Sequence, residues 1–142
     1  MTKRVISGLG VLVLAGTLVF ASTAANAAGK FDGKSNFICA TMDVIACVDG
    51  MICSKGRARE FEMPDFMTVD FKNKVLNASY DGGKEALSPI KNMEQSGNQL
   101  ILQGVENDHG WSMSVHNETG RMSIGVVGHE LSFSLFGACK VL

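Results

Sequence analysis

Apolar and polar residues alternate with a period of two through most of the chain from Phe66 onward. The alternation is clearest over residues 67–71, 111–115, 122–126 and 131–135. Successive side chains of an extended strand point to opposite faces, so each of these segments presents one apolar face and one polar face. Such strands are buried on one side only. This pattern predicts an all-β domain.

Clusters of turn-forming residues separate the alternating segments, at intervals of roughly ten residues in the C-terminal half. The strands expected between these turns run over residues 66–71, 75–80, 89–95, 99–106, 111–117, 121–127 and 131–139, with a further strand near 37–46. A meander of about eight antiparallel strands with one apolar face must pack on something or close on itself. Because no long amphipathic helix is available to cover it, we expect a small closed barrel. A two-sheet β-sandwich is the alternative.

The segment between residues 47 and 64 is the least regular part of the domain. Its Gly50, Gly56 and Pro64 interrupt any strand pattern. The sequence here predicts a loop held by a disulfide, followed by a short strand around residues 57–63.

Residues 1–27 have the pattern of a secretory signal peptide. Lys3 and Arg4 precede an apolar run over residues 5–20, and an Ala-x-Ala cleavage signal follows at residues 25–27. We therefore expect cleavage near Ala27/Ala28, which removes 27 of the 142 residues and leaves 28–142 as one domain of 115 residues. No cysteine stands at the cleavage point to carry a lipid. We expect a periplasmic protein with no membrane anchor after processing.

The mature domain carries a small negative charge. Without Lys3 and Arg4, 11 of the 13 basic residues stand against 14 acidic residues, a formal charge of −3. The two signs are interspersed, so the chain lacks the basic surface that is typical of nucleic-acid binding or of a polybasic membrane surface. We expect neither nucleic acid nor a membrane among the partners.

All four cysteines lie in the mature domain, and an even number in an exported chain of this size predicts two disulfides. Three pairings are possible. Three of the cysteines cluster near the start of the domain and the fourth stands three residues from the end, so at least one bridge should join the chain ends. We favour Cys39 with Cys139 and Cys47 with Cys53. This pairing suits a barrel braced by disulfides, because the first and last strands of an up-and-down barrel are neighbours.

Motifs for catalysis and cofactor binding are missing from the chain. It contains no G-x-S-x-G, no glycine-rich phosphate loop before a helix, no H-E-x-x-H and no C-x-x-C. The sequence therefore favours a non-catalytic role without a cofactor, and we assign no catalytic residue. A hydrolase that uses His109, Asp108 and a nearby serine is the alternative from the enzyme class.

A soft-metal site, for copper in particular, is a further alternative. Cu(I) favours thioether and thiolate ligands. Four methionines lie near the cysteine cluster, namely Met42, Met51, Met63 and Met67. Three histidines show none of the usual metal-ligand spacings, namely His109, His116 and His129. Since oxidised cysteines are not ligands and several methionines occupy expected core positions, we assign no metal residue.

Two surface features stand out as candidate binding sites. A turn before the only tryptophan concentrates polar groups beside an aromatic ring, as at the rim of a ligand pocket. The candidate rim comprises Glu106, Asn107, Asp108, His109 and Trp111. The disulfide loop combines apolar and cationic residues and is suited to a partner protein. The candidate partner loop comprises Met51, Ile52, Lys55, Arg57 and Arg59.

Several short segments resemble those of a group of small exported bacterial proteins of uncharacterised function. The segments are the cysteine-containing 37–41 and 50–53, Gly-Trp-Ser at 110–112, Thr-Gly-Arg-Met at 119–122 and Phe-Gly-Ala-Cys at 136–139. The resemblance spans nearly the whole mature chain. The resemblance implies an exported location and a small size, and it implies no activity for this chain.

Taken together, these patterns lead us to expect an exported, periplasmic β-domain that acts as a non-catalytic binding module. Its partner is either a small ligand at the barrel rim or another envelope protein on the disulfide loop. The sequence assigns neither an oligomeric state nor the identity of the ligand.

Overall fold

The structure, a computed structural model, describes residues 31–49 and 52–142 of the chain. The predicted signal peptide and Met51 of the candidate partner loop lie outside these residues. No helix in the described part of the chain has the length and apolar character that crossing a membrane requires.

The described residues form nine antiparallel β-strands and two short 3₁₀-helices. The strands are β1 (Phe37–Val48), β2 (Ile52–Gly56), β3 (Phe66–Asp70), β4 (Val75–Ser79), β5 (Glu85–Ser96), β6 (Gln99–Glu106), β7 (His109–His116), β8 (Arg121–Val127) and β9 (Leu131–Val141). The 3₁₀-helices span Ala58–Phe61 and Asp81–Gly83.

Eight of these strands close into a barrel. Neighbours along the sheet run β1-β3-β4-β5-β6-β7-β8-β9, and β9 pairs back onto β1. β2 lies outside the barrel and pairs only with β1. The predicted fold class, an all-β barrel of about eight strands with two disulfides, is confirmed. Closure leaves the barrel itself without an edge, which satisfies the backbone hydrogen bonds of its strands.

β1 closes the barrel by pairing with β9, and it carries a β-bulge. It pairs with β9 along its whole length, and the register shifts between Thr41 and Asp43. An extra residue in one strand reverses which side chains face inward beyond it. Phe37 and Cys39 are buried before the shift, whereas Val44 and Ala46 are buried after it. On its other side, the first part of β1 pairs with β3 and the last part with β2.

The two disulfides lie on opposite faces of β1. Cys39 is fully buried and joins Cys139 of β9 inside the barrel, across 100 residues of chain. Cys47 joins Cys53 across the β1–β2 hairpin, with a separation of six residues. This is the pairing that the sequence favoured.

The barrel has a closed end, where the β5–β6 and β7–β8 turns meet the segment that precedes β1. Phe31 in that segment is buried and its N–H donates to the carbonyl of Asn117 at 3.1 Å. The Phe31 ring meets Phe37 edge-on with a 5.2 Å centroid separation, and Phe37 meets Phe71 in the same way at 5.7 Å. We call these three rings the aromatic plug. Edge-to-face contacts of this kind are a favourable arrangement for aromatic rings.

Several expectations from the sequence were wrong in detail, and the disulfide loop expected after residue 47 contains the strand β2 (Ile52–Gly56). The short strand expected around residues 57–63 is instead the 3₁₀-helix Ala58–Phe61, because the Arg57 N–H donates to the Glu60 carboxylate at 3.1 Å and Ala58 is buried against the core. β5 begins at Glu85 rather than at residue 89. In its first part, Ser88 points inward and Leu87 points outward. An amphipathic strand normally shows the reverse, with apolar side chains inside and polar side chains outside.

Candidate functional site

A cavity of about 440 Å³ opens at the end of the barrel opposite the aromatic plug. This open end carries the β1–β2, β4–β5, β6–β7 and β8–β9 connections. Small-molecule sites in proteins usually occupy about 300 to 1,000 Å³. The deep wall of the cavity is apolar and consists of inward-facing barrel residues, Met67, Leu76, Ala78, Ile124 and Leu135. We call it the inner cavity.

The β6–β7 hairpin places polar groups at the mouth of the inner cavity. Asn107 and Asp108 both have positive φ, 48° and 63°, as the central residues of a type I′ turn require. This two-residue turn sets Glu106 directly opposite His109. Four of the five candidate rim residues, Glu106, Asn107, His109 and Trp111, line the cavity. Asp108 is exposed at the tip of the turn and is not part of the lining.

Trp111 forms one wall of the inner cavity and is held in a single orientation. Its indole N–H donates to the hydroxyl of Ser88 at 2.7 Å, and Ser88 is fully buried. The ring lies directly on Gly104, where any Cβ would collide with it. A buried indole N–H without a hydrogen-bond partner would cost free energy. The need to satisfy it explains why a polar residue, Ser88, faces inward on β5.

His109 is fixed by the turn that precedes it. Its Nδ1 lies 2.7 Å from the carbonyl oxygen of Asn107, and its ring lies over Gly128, where a Cβ would collide with it. A carbonyl only accepts, so Nδ1 carries the proton in this contact. In the neutral imidazole, Nε2 is then left as an acceptor.

Tyr80 lies at the mouth, half-buried, where β4 ends. Burial raises the pKa of its hydroxyl, and the nearby negative charge of Glu106 raises this pKa further. The hydroxyl therefore stays protonated as a donor at neutral pH. Lys84 places its ammonium 5.7 Å from the centre of the Tyr80 ring, within cation–π range.

A second cavity of about 400 Å³ adjoins the first and is lined mainly by polar residues. We call it the outer cavity. Five residues line both cavities and form the boundary between them, namely Glu62, Met63, Tyr80, Glu106 and Asn107. Four residues line only the outer cavity, namely Arg59, Asp81, Lys84 and Ala86. The lining is therefore largely apolar in the inner cavity and largely charged or polar in the outer cavity.

The charged side chains around the boundary are not neutralised by one another. Ion pairs within 4.0 Å among the described residues are Asp32 with Lys34, Asp43 with Lys55, and Glu130 with His129. None of them includes Glu62 or Glu106. These two carboxylates are therefore available to a ligand.

The connection from β2 to β3 supplies a part of the inner cavity that the sequence reasoning missed. It contributes Phe61, Glu62, Met63 and Pro64 to the lining. Glu62 ends the 3₁₀-helix in the left-handed conformation, with φ 53°, which redirects the chain towards β3. Tyr80 was also missed, although it is the only tyrosine of the chain and lies just before a predicted turn.

The described residues of the candidate partner loop lie on β2 and around the first 3₁₀-helix. Ile52 and Lys55 lie on β2 outside the barrel, and Lys55 pairs with Asp43 at 3.2 Å. Arg57 is extended and exposed beside the 3₁₀-helix. Arg59, by contrast, lines the outer cavity.

The residues of the metal alternative lie in different parts of the fold. Within the described ranges, no three His, Cys, Asp or Glu side chains come together as metal ligands would, and all four cysteines are in disulfides. Met42 is exposed on the outside of the barrel, whereas Met67 is buried inside and Met63 lines the cavities. The described lining of the inner cavity contains His109 but no serine.

Comparison of the chain with protein-family models, with curated proteins and with solved structures found no match.

Proposed function

We propose that this protein is a non-catalytic binding protein that holds a small, largely apolar ligand in the inner cavity. One observation carries the proposal. A barrel whose closed end is filled by aromatic rings leaves about 440 Å³ unfilled at its open end, with apolar walls and a polar mouth. Sites for small molecules have this composition, because apolar walls supply affinity and a few polar groups fix orientation.

The rigidity of the walls supports this proposal. The barrel is closed, and the Cys39–Cys139 bridge links the two strands, β1 and β9, that close it. The Trp111–Ser88 hydrogen bond holds the cavity wall in place. A preformed site loses little conformational entropy when it binds its ligand, which favours affinity.

The proposed place of action is the periplasm, after cleavage near Ala27/Ala28. All four cysteines are paired in the structure, which is compatible with an oxidising compartment outside the cytosol. The signal-peptide pattern at residues 1–27 supplies the route of export. Intact mass of the protein isolated from cells, before and after reduction and alkylation, tests both the start of the mature chain and its oxidation.

Binding is tested with N-phenyl-1-naphthylamine, a neutral dye whose fluorescence rises in apolar surroundings. Trp111 is the only tryptophan of the chain and lines the cavity, so its fluorescence reports occupancy directly. We expect saturable binding of one dye per chain with a matching change in Trp111 emission. Absence of saturable binding would contradict the proposal.

Two neighbouring residues of β8 provide a matched pair of variants. Val126 lines the inner cavity, whereas Val127 faces solvent with 62% exposure. Val126→Phe fills part of the cavity and should weaken dye binding at least tenfold. Val127→Phe adds the same side chain outside the barrel and should leave binding unchanged. Equal effects of the two substitutions would place the dye elsewhere.

A partner protein on β2 is the second candidate function. β2 is paired along one edge only, and Ile52 on it is 72% exposed. Edge strands with a free backbone edge commonly add a strand from a partner. A photo-crosslinking residue at position 52 should then capture one protein of the envelope, while the same residue at position 105, on the outer face of β6, should capture none. Identical products at both positions would remove support for this candidate.

A further inference from the structure

The polarity of the two cavities indicates which part of the ligand is apolar and which part is polar. The inner and outer cavities hold about 440 and 400 Å³ and share five lining residues, so a group at the mouth of the inner cavity meets residues that also line the outer cavity. The deep wall of the inner cavity offers no polar partner, and burying a polar group without a hydrogen-bond partner is unfavourable. The deep part of the ligand is therefore a hydrocarbon, and any charged group must lie at or beyond the boundary.

The boundary carries negative charge. Glu62 and Glu106 line both cavities, whereas the cations Arg59 and Lys84 line only the outer one. No described basic side chain lies within 4.0 Å of either boundary carboxylate. Glu106 is half-buried, and charges near a protein surface interact more strongly than charges in bulk water. A head group that leaves the inner cavity meets these two carboxylates first.

We propose that the ligand is a single-chain amphipath with a cationic amine head, whose chain fills the inner cavity and whose ammonium lies at the boundary beside Glu62 and Glu106. This inference rests on the proposed function. An ammonium has three donors and no acceptor, so carboxylates suit it. An anionic head would be repelled at this point and would have to extend further outward to reach Arg59 and Lys84.

The neutral groups at the mouth agree with a donor-rich head. Asn107 contributes a side-chain amide to the boundary, and its oxygen can accept from an ammonium. The Nδ1 of His109 donates to the Asn107 carbonyl, which leaves Nε2 as an acceptor when the ring is neutral.

The experiment compares three molecules that share one chain and differ only in the head group. Dodecylamine, dodecanol and dodecanoate each displace N-phenyl-1-naphthylamine from the full-length mature protein at about pH 8, below their critical micelle concentrations. We expect dodecylamine to bind about tenfold or more tightly than dodecanoate, with dodecanol between them. Raising the salt concentration should weaken the binding of the amine and leave that of the alcohol unchanged, because salt screens exposed charges.

Substitutions at the boundary test the role of the two carboxylates. Glu106→Gln and Glu62→Gln should each lower the affinity for dodecylamine about threefold to tenfold and leave the affinity for dodecanol unchanged. Glu118→Gln, at an exposed carboxylate in the β7–β8 turn of the closed end, is the matched control and should change neither affinity.

Different results overturn different claims. Equal affinities for the three molecules, with loss of binding in Val126→Phe, would overturn the amine head and leave the binding function standing. Tighter binding of dodecanoate, lost in Arg59→Gln or Lys84→Gln, would also overturn the amine head and assign an anionic one. Failure of all three molecules and of the dye to bind would overturn the proposed function itself.

Discussion

The closed and open ends of the barrel are made by the same strands and differ in what fills the interior. At the closed end, Phe31 from outside the sheet packs on Phe37, which in turn packs on Phe71. At the open end, Phe61 and Met63 from the β2–β3 connection stand at the wall of a cavity instead of filling it. A protein interior is normally packed as densely as an organic crystal. We therefore expect the closed end to contribute more to stability, whereas the proposed ligand would bind at the open end.

Removing each disulfide is the strongest test of this contrast. By the loop-entropy estimate, the double variant Cys39→Ala with Cys139→Ala should lose about 4 to 5 kcal/mol of unfolding free energy. The double variant Cys47→Ala with Cys53→Ala, at the open end, should lose about 2 kcal/mol. Urea denaturation monitored by Trp111 emission measures both. Similar losses would contradict the expected difference between the two bridges.

Truncation of one ring at each end tests the difference in packing directly. Phe37→Ala removes a fully buried ring and should cost about 3 to 5 kcal/mol. Phe61→Ala removes a half-buried ring beside an existing cavity and should cost about 1 kcal/mol. The same urea experiment applies. A cost for Phe61→Ala as large as that for Phe37→Ala would mean that the open end is as tightly packed as the closed end.

Ser88→Ala tests whether the cavity wall is held by a hydrogen bond. The substitution leaves the buried Trp111 indole N–H without its partner and should cost about 1 to 3 kcal/mol. It should also shift Trp111 emission, since the ring loses its fixed position. Ser112→Ala, on the exposed face of β7, is the control and should stay within about 0.5 kcal/mol of the parent. Indistinguishable behaviour of the two variants would rule out a structural role for this bond.

Titration of Tyr80 gives the smallest effect and reports the charge at the boundary. It is the only tyrosine, so tyrosinate absorbance follows it alone. Burial and the charge of Glu106 raise its pKa above the ordinary value of 10.0. Because the folded pKa is raised, its contribution to stability is complete below pH 10.0 and is lost as the pH rises through the folded pKa. Glu106→Gln should lower the titration midpoint, and Glu118→Gln should not. A midpoint unchanged by Glu106→Gln would place that carboxylate away from the hydroxyl.

The strands of the barrel were predictable from the sequence because the alternation and the turns that define them are local features of the chain. The strands expected over residues 99–106 and 121–127 match β6 and β8 residue for residue, since alternation and tight turns set their limits. The disulfide pairing followed from the position of Cys139 near the end of the chain, opposite the first strand.

The cavity was only partly predictable, because it depends on what distant segments leave unfilled. Glu106 and His109 were expected at a rim because one hairpin turn brings them together. The Phe61–Pro64 part of the wall depends on where β3 enters the sheet opposite Ala40, a long-range register with no local signal. Ser88 was missed because its inward position makes sense only beside Trp111, 23 residues away.

The bulge near Met42 has a consequence for how the thiols of this chain find one another. Cys39 and Cys47 are eight residues apart, so an unbroken strand would direct both to the same face. The register shift between Thr41 and Asp43 directs Cys39 into the barrel and Cys47 away from it. Once β1 has formed, the sheet therefore lies between Cys39 and Cys53 and between Cys47 and Cys139. One inserted residue thus limits the chain to a single one of its three possible oxidation patterns.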